Sequence, residues 1–334
     1  MENNLPISII IPCRNEERFI GRCLDSIIRQ DYFHRGNIEV LVIDGMSEDG
    51  TRKIIEKYIK QYPFIKLFNN KKKIIPSALN IGMKNAKGEI IIRMDAHTVY
   101  PPDYVSKCIN FLNKYNADAV GGIIKTLPQD NTFLGQAIAL SLFHPFGVGD
   151  SFFRIGCKEP RESNTIFSGC YKKEILNRVG FLDEKIEFSE DLIYNSKLKR
   201  AGAKLLLVPE IISYYYARSD FPSFCKHNFR NGLWVIPSFK YLKMSVPLRH
   251  FVPLFFVLSL MITGIMGLFF RPIFLLFSII IGSYILVNVY FSLKIAIKKR
   301  SIKYFFLMFI IFATLHLTYG LGSSYGLIRL VKKR

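Results

Sequence analysis

The 334-residue chain carries 46 Lys and Arg against 26 Asp and Glu, a formal net charge of +20, and half of its residues are hydrophobic. An excess of this size suits nucleic acid, an anionic membrane surface or an acidic substrate such as a nucleotide diphosphate, and the uneven spread of apolar residues favours the membrane. Six cysteines without a CxxC pair or metal-finger spacing argue against a zinc module and against a disulfide framework.

The opening "MENNLPISIIIP" is too short and too acidic for a signal peptide, so the domain that it begins is expected in the cytoplasm. Within it, "ISIIIP" predicts a strand, and "NEERFIGRCLDSIIRQ" a helix with Phe19, Ile20, Cys23, Leu24, Ile27 and Ile28 at helical spacing. "IEVLVID" predicts a second strand, "EDGTRKIIEKYIKQY" a second helix, "FIKLF" a third strand, "PSALNIGMKNA" a third helix and "GEIIIRMD" a fourth strand. Alternating elements with near-continuous apolar strands imply an α/β fold, a mostly parallel sheet covered on both faces. Ligands of such sheets bind beyond the strands' carboxyl ends, where Asp44 and Asp95 fall. No GxGxxG follows the first strand, so the dinucleotide fingerprint is absent. If the fourth strand runs on through "MDAH", Asp95 and His97 point to the same side. A carboxylate and an imidazole so placed suit a metal or phosphate site, and equally a polar exit from a strand.

From about residue 250 the composition changes. Residues 251–270, 273–293 and 304–322 form three apolar segments of about the length that crosses a bilayer as a helix. Lys240, Lys243 and Arg249 precede the first segment, and Lys294, Lys298, Lys299, Arg300 and Lys303 follow the second, whereas Arg271 alone lies between them. The positive-inside rule therefore puts the amino-terminal domain on the cytoplasmic side of a multi-pass inner-membrane protein. Three full crossings would export "RLVKKR" against the same rule, unless the last segment breaks at Gly320–Gly322 and turns back.

The ordered set "SIIIPCRNEERFIGRCLDSIIRQ", "VLVIDGMSEDGT", "IIIRMDAHT" and "FSEDL" resembles family 2 glycosyltransferases of GT-A fold over roughly residues 5–235. It is similar in particular to membrane-anchored enzymes of succinoglycan-type exopolysaccharide synthesis. The resemblance implies a GT-A domain over residues 1–240, with interfacial helices at 222–246, followed by a membrane domain at 250–328. It implies an inverting transferase that moves a sugar from a nucleotide sugar, such as a UDP-sugar, to a polyprenyl-diphosphate-linked saccharide in exopolysaccharide, capsule or O-antigen synthesis. A processive polysaccharide synthase, a polyprenyl-phosphate sugar synthase and a nucleotide-binding membrane scaffold are the alternatives; nucleic acid is not an expected partner.

Residue by residue, the resemblance assigns the nucleotide to Pro12, Arg14, Asn15, Glu16, Asp44, Lys73 and Asp95, with Asp44 against the base. Asn15 also reads as a helix cap, Asp49 and Thr51 as caps of the second helix, and Lys71 and Lys72 as solvated charges. Asp95 and His97 stand where the family has Asp-x-Asp and would hold a divalent metal, the histidine favouring Mn²⁺ over Mg²⁺. Ser168 and Gly169 would face the sugar, and Arg230, in a loose match to Gln-x-x-Arg-Trp, would reach the diphosphate. Asp191 would be the general base, tuned by Glu190; the same acids read as ordinary first-turn residues of a helix that Ser189 caps.

Overall fold

The computed structural model describes residues 5–35, 37–186, 189–239 and 247–332. Its elements run β1 (Ile7–Cys13), α1 (Ile20–Ile28), β2 (Ile38–Asp44), α2 (Thr51–Gln61), β3 (Ile65–Asn69), α3 (Ile75–Asn85), β4 (Ile90–Arg93), β5 (Thr98–Val99) and α4 (Tyr104–Lys114). Next come β6 (Ala119–Pro128), α5 (Phe133–Ser141), α6 (Pro145–Val148), α7 (Phe152–Ile155), β7 (Arg161–Glu162), β8 (Cys170–Lys172), α8 (Lys173–Val179) and α9 (Glu190–Arg200). The chain ends with β9 (Leu205–Ala217), α10 (Phe221–Ser238), α11 (Val252–Gly267), α12 (Arg271–Lys298) and α13 (Lys303–Lys332). It forms two compact units, residues 1–125 with 156–215, and residues 126–155 with 216–334.

The sheet order is β3-β2-β1-β4-β8-β6-β9-β5, with β7 also paired to β9. The parallel part predicted from the first four strands is present: β1 lies between β2 and β4, and β3 pairs with β2, all in parallel. Beyond β4 the pairing turns antiparallel through β8 and β6. β8 has only three residues, too few for a period-2 pattern to announce it, and β6 pairs with strands far from it in sequence. Alternate residues of β1 feed opposite layers, as the pleat requires. Ile7, Ile9 and Ile11 pack with Cys23, Leu24 and Ile27 of α1 and with Cys108 and Leu112 of α4. Ile10, Leu41 and Ile43 pack with Ala78 and Leu79 of α3, Leu176 of α8 and Leu198 of α9. Burial on both faces is why the strands read as unbroken apolar runs.

Two expectations about local structure need correction. β4 ends at Arg93, so Asp95 and His97 lie in the turn beyond it, and strand alternation does not govern them. Asn15 does not cap α1, whose N-cap is Phe19 and has no side-chain cap bond.

In the second unit, Leu248–Gly267, Arg271–Lys298 and Lys303–Val331 are long and apolar enough to cross a membrane. α13 runs unbroken through Gly320 and Gly322. A Cβ on Gly322 would collide with the Phe229 carbonyl oxygen of α10, and one on Gly232 with the Tyr319 carbonyl oxygen. The glycines are notches that let two helices touch backbone to backbone, as small residues do in membrane bundles. Polar groups among these helices are paired: Asn288 donates to the Phe309 carbonyl at 3.0 Å, and the two His316 ring nitrogens meet Tyr284 and the Phe146 carbonyl at 3.0 and 2.8 Å. Of the expected interfacial stretch, α10 reaches Ser238; Lys240, Lys243 and the rest of 240–246 lie outside the described residues.

Candidate functional site

The site is built in the first unit, at the carboxyl ends of β1, β2 and β4. The loop after β1 is zipped to the loop after β2. The Asn15 N–H donates to Ser47 Oγ at 2.9 Å, and Asn15 Oδ1 accepts from the Glu48 N–H at 2.9 Å. The Glu16 N–H donates to Thr51 Oγ1 at 2.8 Å, and the Glu17 N–H to Asp49 at 3.2 Å. Asp49 and Thr51 thus join the two loops, and neither is the N-cap of α2, which is Gly50 and makes no side-chain cap bond. Asn15, Met46 and Lys73 follow three adjacent strands and all take positive φ, between 55° and 60°. Strained non-glycine backbone gathers at sites that need a fixed loop shape.

Asp44 has no exposed side-chain surface. Its Oδ2 meets Arg52 at 2.6 Å, and its Oδ1 accepts from Ser47 Oγ at 2.5 Å. A carboxylate held this way organises the β2 loop from beneath, and it would reach a nucleobase only after Ser47 or Arg52 moved. Lys73 is exposed and lies 3.5 Å from Glu48, while the Arg14 guanidinium lies 3.8 Å from the same carboxylate. Pro12 pairs in register with Ile43 inside the sheet.

Asp95 is buried in the turn after β4. One carboxylate oxygen accepts from Ser168 Oγ at 2.9 Å and the other from Arg93 Nε at 3.3 Å. The Tyr100 hydroxyl accepts from the Asp95 backbone N–H at 2.7 Å. His97 points elsewhere: its Nδ1 meets Glu16 at 3.0 Å and its ring packs edge-on against Tyr215. Among the described residues no three His, Cys, Asp or Glu side chains gather as a metal-binding group. Gly169 has a packing reason, since a Cβ there would lie 2.6 Å from the Tyr171 ring.

Arg93 closes the arrangement. Its guanidinium bonds Asp191 through NH1, lies 3.5 Å from Glu190 through NH2, and keeps Nε on Asp95. Burial opposes the Arg93 charge, but Asp191, Asp95 and Glu190 together push its pKa further up. Burial pushes the Asp191 carboxyl up to about 7, with Glu190 and Asp95 adding to the rise and Arg93 opposing it. Glu190 and Asp191 do open α9, as their position suggested, but Ser189 takes a left-handed conformation and makes no side-chain cap bond. Residues 187 and 188, which include the phenylalanine of "FSEDL", lie outside the described residues.

The profile of Glycosyl transferase family 2 matches residues 8–172. A curated relative, dolichyl N-acetyl-alpha-D-glucosaminyl phosphate 3-beta-D-2,3-diacetamido-2,3-dideoxy-beta-D-glucuronosyltransferase of Methanococcus voltae, is 31% identical over 97% of this chain and 97% of its own. The chain belongs to glycosyl transferase family 2. The succinoglycan biosynthesis protein ExoA of Rhizobium meliloti is 27% identical over 74% of each chain. Among solved structures, the mannosyltransferase PcManGT of Pyrobaculum calidifontis, in complex with GDP-Man and Mn²⁺, matches with TM-score 0.61 and 18% identity, covering 97% of this chain and 87% of its own. That likeness supports the GT-A fold.

Several residues of this glycosyltransferase were not legible as site residues. Arg93 is the main one, and its signal was a single charge closing the apolar run "EIII". Ser47 of the loop after β2 and Arg52 of the first turn of α2 belong to the site because they complete Asp44. Asn80 exchanges hydrogen bonds with Leu182 and donates to Glu184 at 3.0 Å, and Lys72 meets Glu184 at 2.5 Å. Lys72 is therefore not a freely solvated charge; with Asn80 it moors the segment that leads to α9. Arg230 lies on α10, in the second unit. Asp44→Ala would take the acceptor from the Ser47 N–H and Oγ and leave Arg52 on Asn69 alone, at a cost of about 1–3 kcal/mol. A fall in the thermal midpoint of the detergent-purified chain, present without any nucleotide, is the expected result.

Proposed function

We propose that this glycosyltransferase moves a sugar from a nucleotide-sugar donor to a lipid-linked saccharide at a membrane surface, with inversion at the anomeric carbon. The observation that carries the reading is the Asp191 carboxylate at the start of α9, bridged by the one Arg93 guanidinium to Asp95; its pKa is pushed up, first by burial. Asp191 is the base: it accepts the proton of the acceptor hydroxyl as that oxygen attacks the anomeric carbon. A pKa near working pH makes it a competent acceptor in its ionised form. Glu190 raises that pKa. One base and one displacement give inversion.

Asp95 is assigned to the nucleotide together with Arg14, Asn15 and Glu16 of the loop after β1 and Lys73 beyond β3, Pro12 setting the start of the β1 loop. Asp44 supports the base site through Ser47 and Arg52, and Ser168 and Gly169 border the sugar. The donor set near Asp95 fits a cation shared with the diphosphate rather than one held by protein alone. Asp95 and His97 would hold it only after rearranging, because His97 is turned to Glu16 and the Asp95 oxygens to Ser168 and Arg93. A bound divalent ion would supply charge neutralisation at the leaving diphosphate. An imidazole ligand favours Mn²⁺.

The acceptor class is supported by the name of the Methanococcus relative, which specifies a dolichyl phosphate-linked sugar, and by the role of the Rhizobium protein in succinoglycan synthesis. The donor class is supported by PcManGT, solved with GDP-Man. A polyprenyl diphosphate carrier and a UDP-sugar are the specific partners proposed for this chain, in exopolysaccharide, capsule or O-antigen synthesis. The three long apolar helices and the basic residues flanking them support a multi-pass protein of the cytoplasmic membrane with its catalytic unit on the cytoplasmic side.

Membranes containing the protein, given radiolabelled UDP- and GDP-sugars with polyprenyl phosphate- and diphosphate-linked saccharides, should place label in the lipid extract. Asp191→Asn should lower that transfer by about 10²–10⁴-fold while nucleotide affinity stays unchanged. Since the base works only when deprotonated, kcat/KM should fall as pH drops below about 7 and level off above it. A folded Asp191→Asn chain with normal turnover would refute the base assignment.

His97→Asp should retain activity and shift the preferred ion from Mn²⁺ toward Mg²⁺, read as rate against each metal. If His97→Ala changes neither rate nor metal dependence, the metal assignment is wrong. A reporter fused after Lys303 should be cytoplasmic and one inserted at Arg271 should not; the reverse pattern would overturn the orientation.

A further inference from the structure

We infer that Arg93 is the positioning residue that sets the Asp191 carboxylate for proton abstraction and ties it to Asp95 on the donor side. The inference rests on the reading of Asp191 as the base. Arg93 closes β4, which lies between β1 and β8 in the sheet. Its backbone is in register with Ile10, and its N–H donates to the Gly169 carbonyl at 3.0 Å. The side chain is buried, and its guanidinium carbon lies 5.8 Å from the centroid of the Phe167 ring. From that anchored base the fork presents Nε to Asp95, NH1 to Asp191 and NH2 to Glu190.

A guanidinium is planar, with donors at fixed angles, and it does not give up its proton in a protein. Arg93 therefore takes no part in proton transfer. What it fixes is the relative position of three carboxylates that would otherwise repel one another. The link also crosses the site, because Asp95 comes from the turn after β4 and Asp191 from the first turn of α9. Asp95 is steadied from its other side by Ser168, whose carbonyl accepts from the Tyr104 hydroxyl at 3.1 Å. Asp191 has its carbonyl held by Asn195 Nδ2 at 2.8 Å, which fixes its backbone and leaves carboxylate orientation to Arg93. A lysine could keep the charge but could not hold all three groups in one plane.

The test uses the purified full chain in detergent, with labelled donor and lipid-linked acceptor, and reads kcat and donor KM separately. Arg93→Ala should lose about 10²-fold or more in kcat, the usual penalty for a misplaced catalytic group. Donor KM should change less than kcat does, because Ser168 still holds Asp95 from its other side. Millimolar guanidinium ion should restore part of the kcat of Arg93→Ala and none of that of Asp191→Asn. Arg93→Lys, which spares the buried charge, should show the same split between kcat and KM at an intermediate level, and it carries the test if Arg93→Ala does not fold. Wild-type kcat in Arg93→Lys, or a loss confined to donor KM in either variant, would overturn the inference. If Asp191→Asn is inactive while both Arg93 variants turn over normally, only the positioning role fails. If Asp191→Asn itself turns over normally, the base assignment fails first and takes the inference with it.

Discussion

A single guanidinium among three carboxylates is the constraint around which the catalytic unit is arranged. Arg93, Asp95, Glu190 and Asp191 come together with side chains that are mostly shielded from water. Ions removed from water cost several kcal/mol each unless partners and hydrogen bonds replace the lost hydration. One positive charge cannot neutralise three negative ones, so the cluster keeps an unbalanced negative charge. Burial, reinforced by the neighbouring carboxylates, makes the Asp191 carboxyl at its edge hold its proton to higher pH. The same imbalance makes the site receptive to a cation arriving with an anionic donor.

The surrounding structure serves to keep that cluster in place. On one side, the loops after β1 and β2 are laced together by Asn15, Glu16 and Glu17 against Ser47, Asp49 and Thr51. On the other, Asn80 and Lys72 tether the segment around Glu184 that leads into α9. Ser168 and Ser189, two more residues with positive φ, flank the cluster at the approaches to β8 and α9. Their strained backbone is affordable because buried hydrogen bonds and packing over-determine the fold nearby.

The second unit follows another set of rules. Its long helices expose apolar side chains along much of their length, and α12 buries only a few residues, such as Asn288 and Ser292. Such a surface is stable against lipid, where every backbone group must be satisfied within the helix. Hydrophobic burial cannot hold helices together in that solvent, so close backbone approach at Gly232 and Gly322 and hydrogen bonds such as those of Asn288 and His316 take over.

The sequence by itself determined the alternating strands and helices of the first 95 residues, because burial on both faces of a parallel sheet demands unbroken apolar runs. It determined the three apolar helices for an equally local reason, since a span is a matter of length and composition. It also carried the family, through motifs whose order survives wherever the chain goes. The antiparallel half of the sheet was not legible, because its pairing depends on partners far away in sequence. Only tertiary structure could show that β4 stops at Arg93, that His97 turns to Glu16 while Asp95 turns to Ser168, and that Gly320 and Gly322 sit inside an unbroken helix. Above all, the meeting of Arg93 with Asp191 joins residues 98 positions apart, and no local pattern encodes where a long cationic side chain finds its counter-charge.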